Sequence, residues 1–78
     1  MKDKNSIKLS EIFAEIFSTE VEEVKNIIKD GNRKWDSLAS VLLIAAIESE
    51  FEIILSESDF EAFSSYSSVE TLLEKLDL

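Results

Sequence analysis

The 78-residue chain contains no cysteine and no histidine. Without a thiol it can form neither a disulfide nor a thiolate metal site, and it has no nucleophilic sulfur of its own. Without an imidazole it lacks the usual general base, the usual zinc ligand and half of every Ser-His or Cys-His nucleophile pair. Carboxylates alone would have to perform any acid-base chemistry, and no pair of them is marked out by spacing. No D-x-[DN]-x-[DN]-G calcium loop occurs either, so neither metal ligands nor catalytic residues are expected. Any reactive group has to come from elsewhere.

Positive charge is also scarce: eight Lys and Arg face seventeen Asp and Glu, for a net charge of −9. Such a surface repels phosphate backbones, which argues against nucleic acid as a partner. It favours a protein with a basic patch, drawn in by long-range attraction that salt weakens. Apolar runs stay short of the ~20 residues a membrane span needs. The N-terminal MKDKNSIKLSEIFAEIF mixes charges of both signs and lacks an apolar signal core. A cytoplasmic monomer with no membrane span is expected.

What remains is enough for one small domain, residues 1–78. Hydrophobic residues make up 45% of the chain, which places it among globular rather than disordered sequences despite its charge. A chain near this size buries only about 60% of its unfolded surface, so a packed core is feasible and a large catalytic cavity is not.

Apolar residues recur at Ile7, Leu9, Ile12, Phe13, Ile16 and Phe17, with Glu11 and Glu15 between them, which predicts a first helix with one wet face. Thr19-x-x-Glu22 has the form of a capping box ahead of a short helical turn. The only Gly lies in Asp30-Gly31-Asn32, a turn signal, so a long irregular connection is expected from about Ser18 to Trp35. Asp36 is a candidate N-cap for a helix running from Ser37 to about Phe51. Ser56 would cap a brief helix through Phe63, and Ser64 to Ser68 read as a loop. Ser67-x-x-Glu70 then has capping-box form before a last helix whose stripe is Val69, Leu72, Leu73 and Leu76. No strand-period alternation appears. The fold class is all-α: a small four-helix bundle with three longer helices, a short third one and a long first loop.

The segment WDSLASVLLIAAIESEF carries more apolar residues than one stripe requires. Turned by about 100° per residue, it separates into two groups. Leu43, Ile47 and Phe51 form an i, i+4, i+8 row with Ile44 beside it, and these are assigned to the core. Leu38, Val41, Leu42 and Ala45 lie on roughly the opposite side, to be covered by the long loop or by self-association, or left exposed for a partner protein.

Asp36-Ser37-Leu38, followed by an apolar helix ending in Ile47-Glu48-Ser49-Glu50-Phe51-Glu52-Ile53, resembles the acyl carrier proteins, and length, acidity and helix pattern extend the likeness over nearly the whole chain. The resemblance implies a four-helix carrier fold and no enzymatic activity. It implies 4′-phosphopantetheine attached as a phosphodiester to the Ser37 hydroxyl, with Asp36 and Leu38 flanking it. The distal thiol of that arm, bearing an acyl group as a thioester, would replace the missing cysteine. Leu38, Val41, Leu42 and Ala45 would be the apolar part of a docking face, with Glu48, and less directly Glu50 and Glu52, as its acidic contacts. The partners implied are a phosphopantetheinyl transferase and acyl-transferring or acyl-activating enzymes with basic patches.

Some positions depart from the family pattern. Carriers of fatty-acid synthesis usually place acidic residues where Ala39 and Leu42 stand, and Glu is common at Ser49. The W-D-S-L form at Trp35 to Leu38 resembles free-standing carriers of specialised-metabolite or surface-polysaccharide pathways. The G-G that precedes the serine of peptidyl carriers is absent. Because of these departures an unmodified helical interaction module, using the Leu38, Val41 and Leu42 face, stands as the alternative.

Overall fold

The computed structural model describes residues 2–78. Four α-helices follow one another: α1 (Asp3–Phe17), α2 (Ser37–Phe51), α3 (Glu57–Phe60) and α4 (Tyr66–Lys75), with a 3₁₀ helix at Val21–Asn26. This is the expected all-α arrangement, with a short third helix and a long first connection. None of these helices is long and apolar enough to cross a membrane.

Helix α1 begins four residues ahead of its first apolar position. Its start is tied to the other end of the chain: Lys2 N–H donates to the Leu78 carbonyl at 3.2 Å, and Asn5 Nδ2 donates to the same oxygen at 2.9 Å. Of its apolar residues, Leu9, Phe13 and Phe17 are buried, whereas Ile7 is exposed. The helix closes at Ser18, which takes the left-handed conformation (φ 52°) usually filled by glycine, while Thr19 N–H returns to the Ala14 carbonyl.

The long connection is more ordered than its composition suggests. The Thr19-x-x-Glu22 pattern does not cap the 3₁₀ helix; its N-cap is Glu20, with no side-chain bond. Val24 turns into the core and anchors that helix. Beyond it, Ile28 and Ser65 form an isolated antiparallel bridge, with Lys29 N–H donating to Ser64 O and Tyr66 N–H to Ile27 O. Gly31 (φ 74°) then turns the chain toward Trp35.

That bridge corrects the reading of the serine cluster. Helix α4 starts at Tyr66, not after Ser67, and its capping box is Ser65 with Ser68: each backbone N–H donates to the other's hydroxyl. Ser68 Oγ also donates to the Ala62 carbonyl. Tyr66 is fully buried, so burying its ring outweighs the loop preference of the serines around it. Val69, Leu72 and Leu73 follow into the core, but Leu76, expected in the same stripe, lies past the helix end and is exposed. Helix α3 is likewise shorter than the expected run to Phe63. Ser56 and Asp59 cap its start, and Phe63 enters the core from the turn behind it.

Phe13 is central to the core. Its ring lies 5.0 Å from that of Tyr66 and 5.8 Å from that of Trp35, both edge-on, and 5.8 Å from Phe17, stacked. Tyr66 Oη reaches Ser10 Oγ at 3.0 Å, which satisfies the one polar atom of a fully buried ring.

Candidate functional site

Helix α2 exposes apolar side chains on the side opposite its buried row, where Leu42 borders Ile12 and Ile16 of α1. The row Ala39, Leu43 and Ile47 is buried, and Ile44 and Phe51 pack half-buried against the same core. On the other side Leu38 is 65% exposed, Val41 61% and Leu42 47%, and Ala45 is exposed beside them. The division into two faces thus holds with one correction. Ala39, which the sequence suggests as an apolar replacement on the acidic recognition face beside Leu42, is 5% exposed and heads the core row. Only Leu42 makes that face more apolar. Ala39 sits one i+4 step before Leu43, so helix geometry carries it inward with the core row.

The start of α2 is fixed by Asp36. Its backbone is extended (φ −99°, ψ −171°), and its Oδ1 accepts from Ala39 N–H at 2.9 Å, satisfying one of the free donors of the first turn. Ser40 N–H closes the first backbone bond onto the Asp36 carbonyl at 3.1 Å. Ser37 is the first helical residue. It is exposed, and its hydroxyl has no hydrogen-bond partner among the described residues.

These residues fit a phosphodiester on a serine at this position. The first turn contains no acidic residue, its leading N–H groups lack helical acceptors, and the positive end of the dipole of a 15-residue helix favours the phosphate charge. Asp36 directs one carboxylate oxygen at Ala39 N–H, inside the turn.

The far end of the same face is differently occupied than expected. Glu48 is half-buried, and its Oε2 accepts from the buried Leu55 N–H at 2.8 Å, bracing the chain as it leaves α2. It therefore serves the fold, whatever it offers a partner. Glu50 pairs with Lys8 of α1 at 3.8 Å, and that ammonium also sits 6.0 Å from the Phe51 ring. Glu52 takes the left-handed position that ends the helix (φ 53°) and is exposed.

Trp35 is a structural part of this region that the sequence reading does not assign. Its ring is buried against Phe17 at 5.2 Å, and its Nε1 donates to Ser40 Oγ at 3.0 Å. An aromatic residue directly before an N-cap is the signal the sequence offers for it.

Comparison with curated proteins and with solved structures finds no match. A family model described as a phosphopantetheine attachment site matches residues 35–76, from Trp35 through α4, more than half of the chain. An exposed first-turn serine, a capped helix and an unpartnered apolar face fall inside that span. The chain therefore belongs to the phosphopantetheine attachment family, whose members are carrier domains, not catalysts, that hold 4′-phosphopantetheine covalently on a serine.

Proposed function

We propose that residues 1–78 form a single acyl carrier domain and that Ser37 is its attachment residue. The observation that carries this reading is an unengaged, exposed hydroxyl in the first turn of α2, at the head of the exposed row Leu38, Val41 and Leu42. Other serines of the matched span suit the role less well. The hydroxyls of Ser40, Ser56, Ser58, Ser64, Ser65 and Ser68 are engaged in hydrogen bonds, and Ser49 stands at the negative end of α2 beside Glu50. Ser67 is exposed in the first turn of α4, but no apolar docking face follows it.

The bound group supplies the thiol on which acyl cargo rides as a thioester. Ser37 presents that arm, Asp36 holds the turn, and Leu38, Val41, Leu42 and Ala45 give acyl-transferring or acyl-activating enzymes an apolar surface. Negative charge at Glu48 and Glu52 lies at the far end of that surface and suits partners with basic patches, while Glu50, paired with Lys8, contributes less. The transferase that attaches the arm would provide the metal and the base that this chain lacks. Leu42 replaces charge by apolar surface at the centre of the face. That favours partners other than the fatty-acid enzymes, in a specialised or surface-polymer pathway of the cytoplasm.

Co-expression with a broad-specificity phosphopantetheinyl transferase should add one phosphopantetheinyl group by intact mass. Ser37→Ala should abolish the addition and Ser67→Ala should not. An unchanged mass under a transferase that loads a control carrier refutes the assignment. The same exposed face would also suit an unmodified interaction module, and that reading requires Ser37→Ala to keep partner binding and cellular function intact.

A further inference from the structure

The carrier reading leaves Trp35 and Ser40 unused, yet together they enclose the first turn of α2. The chain's only tryptophan is 3% exposed although it stands two residues before an exposed serine. Phe13 and Phe17 of α1 hold its ring, and its backbone N–H donates to the Asn32 carbonyl at 3.1 Å. Its indole N–H, which burial obliges to find an acceptor, donates to Ser40 Oγ. Trp35 precedes the N-cap and Ser40 is the fourth helical residue, the two positions that a hydrophobic staple joins. Here the staple is a polar bond, and its outer end is fixed in the aromatic core. A serine inside a helix commonly bonds the carbonyl four residues back; this one receives the indole instead.

Two bonds are therefore nested around Ser37. The inner one runs from Ala39 N–H to Asp36 Oδ1, and the outer one from Trp35 Nε1 to Ser40 Oγ. Neither uses the Ser37 side chain, and Leu38 also stays exposed between them. First turns fray because their leading N–H groups lack helical partners. A frayed turn would displace the Ser37 hydroxyl, and group transfer is sensitive to displacements of about 1 Å.

We propose that Trp35 and Ser40 are positioning residues for the loading of Ser37: their bond holds the first turn of α2 closed against the core, so that a transferase meets a hydroxyl already in place. The inference rests on Ser37 being the attachment residue. It makes the indole N–H, and not merely the bulk of the ring, a determinant of how fast the arm is attached.

Trp35→Phe keeps an aromatic ring and removes the donor, Ser40→Ala removes the acceptor, and Ser40→Thr retains a hydroxyl. Each would be compared with the unmodified parent at a temperature where circular dichroism shows it folded. Two quantities are read: amide hydrogen exchange at Ala39 and Ser40 before loading, and kcat/KM of phosphopantetheine transfer followed by intact mass. Loss of one such bond corresponds to about a two- to tenfold effect, so both single variants should exchange faster and load more slowly by that factor. The double variant should be no slower than either single one, and Ser40→Thr should recover the parent rate.

A merely structural role would lower the melting temperature and leave the loading rate of folded protein unchanged. Parental kcat/KM in folded Trp35→Phe and Ser40→Ala overturns the inference while Ser37 remains the loaded residue. A parent chain that acquires no arm, beside a control carrier that does, overturns the Ser37 assignment and this inference with it. If Trp35→Phe fails to fold, Ser40→Ala carries the comparison alone, since Ser40 is only half-buried.

Discussion

Replacing Asp36 by alanine tests how much of α2 depends on one side-chain oxygen. The lost bond is the 2.9 Å contact to Ala39 N–H. N-cap substitutions of this kind cost about 1 kcal/mol. Loss of a negative charge at the positive end of the helix adds roughly 0.3–1 kcal/mol. The sum, about 1–2 kcal/mol, is a large share of the roughly 4–12 kcal/mol expected for a domain of this length. It corresponds to a fall in melting temperature of about 5–15 °C. Asp36→Asn keeps an acceptor in the same place and should lose only the charge contribution, roughly 0.3–1 kcal/mol. Urea denaturation followed by Trp35 fluorescence and by far-ultraviolet circular dichroism would measure both variants. The indole reports the α1–α2 core through its contact with Phe17 at 5.2 Å, and the dichroism reports the helices together. If Asp36→Ala unfolds at the parental urea midpoint, the cap is not holding α2. If Asp36→Asn loses as much as Asp36→Ala, charge and not the bond geometry is responsible.

The two faces of α2 should respond oppositely to truncation. Leu43→Ala, at a position with no exposed surface, should cost about 2–5 kcal/mol, and Leu38→Ser, at 65% exposure, should stay within about 0.5 kcal/mol while weakening partner binding. Equal stability losses in denaturant titrations would mean that the faces have been misassigned. Glu48→Ala strands the buried Leu55 N–H and should destabilise by about 1–3 kcal/mol, whereas Glu48→Gln retains an acceptor and should be milder; thermal melts that rank the two equally would contradict the bracing role. Nine of the seventeen acidic residues and none of the eight basic ones lie between Trp35 and Glu74. Raising ionic strength from about 10 mM to about 150 mM shortens the screening length from about 30 Å to about 8 Å, so the melting temperature should rise. A flat calorimetric series would show that self-repulsion is insignificant.

The helices legible in the sequence are those whose start is encoded locally. Asp36 caps α2 where an acidic residue precedes an apolar run, and the i, i+4 row from Leu43 to Ile47 is buried as its spacing requires. The errors fall where distant parts of the chain decide. Tyr66 is hidden among serines that favour a loop. Its place in α4 follows from the bridge that brings Ile28 to the neighbouring Ser65 and from the Phe13 ring, and both Ile28 and Phe13 are far from it in sequence. Ala39 is misplaced for a different reason: so small a side chain gives little hydropathy signal, although its i+4 spacing to Leu43 sets it in the buried row. Glu48 shows the converse limit: a charged residue at a helix end reads as solvated, and only the path of the chain back to Leu55 brings a donor to it. At the site itself, the exposed serine and the face behind it are visible as a motif. The indole bond that encloses them is not, because the pairing of Trp35 with Ser40 depends on how the long connection enters the helix.

The hydrogen bond between Lys2 N–H and the Leu78 carbonyl places the two ends of the described chain side by side. Domains with adjoining ends accept insertion into other chains and circular permutation. A short Gly-Ser link could join the ends, and new ends could be opened at Gly31, where the turn is exposed and a β-carbon would meet nothing within 4 Å. The rearranged chain would keep α1 packed on α2 and leave Ser37 on an uninterrupted helix. A carrier permuted in this way could be fused to a partner through its long loop, with its arm and docking face turned toward a different neighbour.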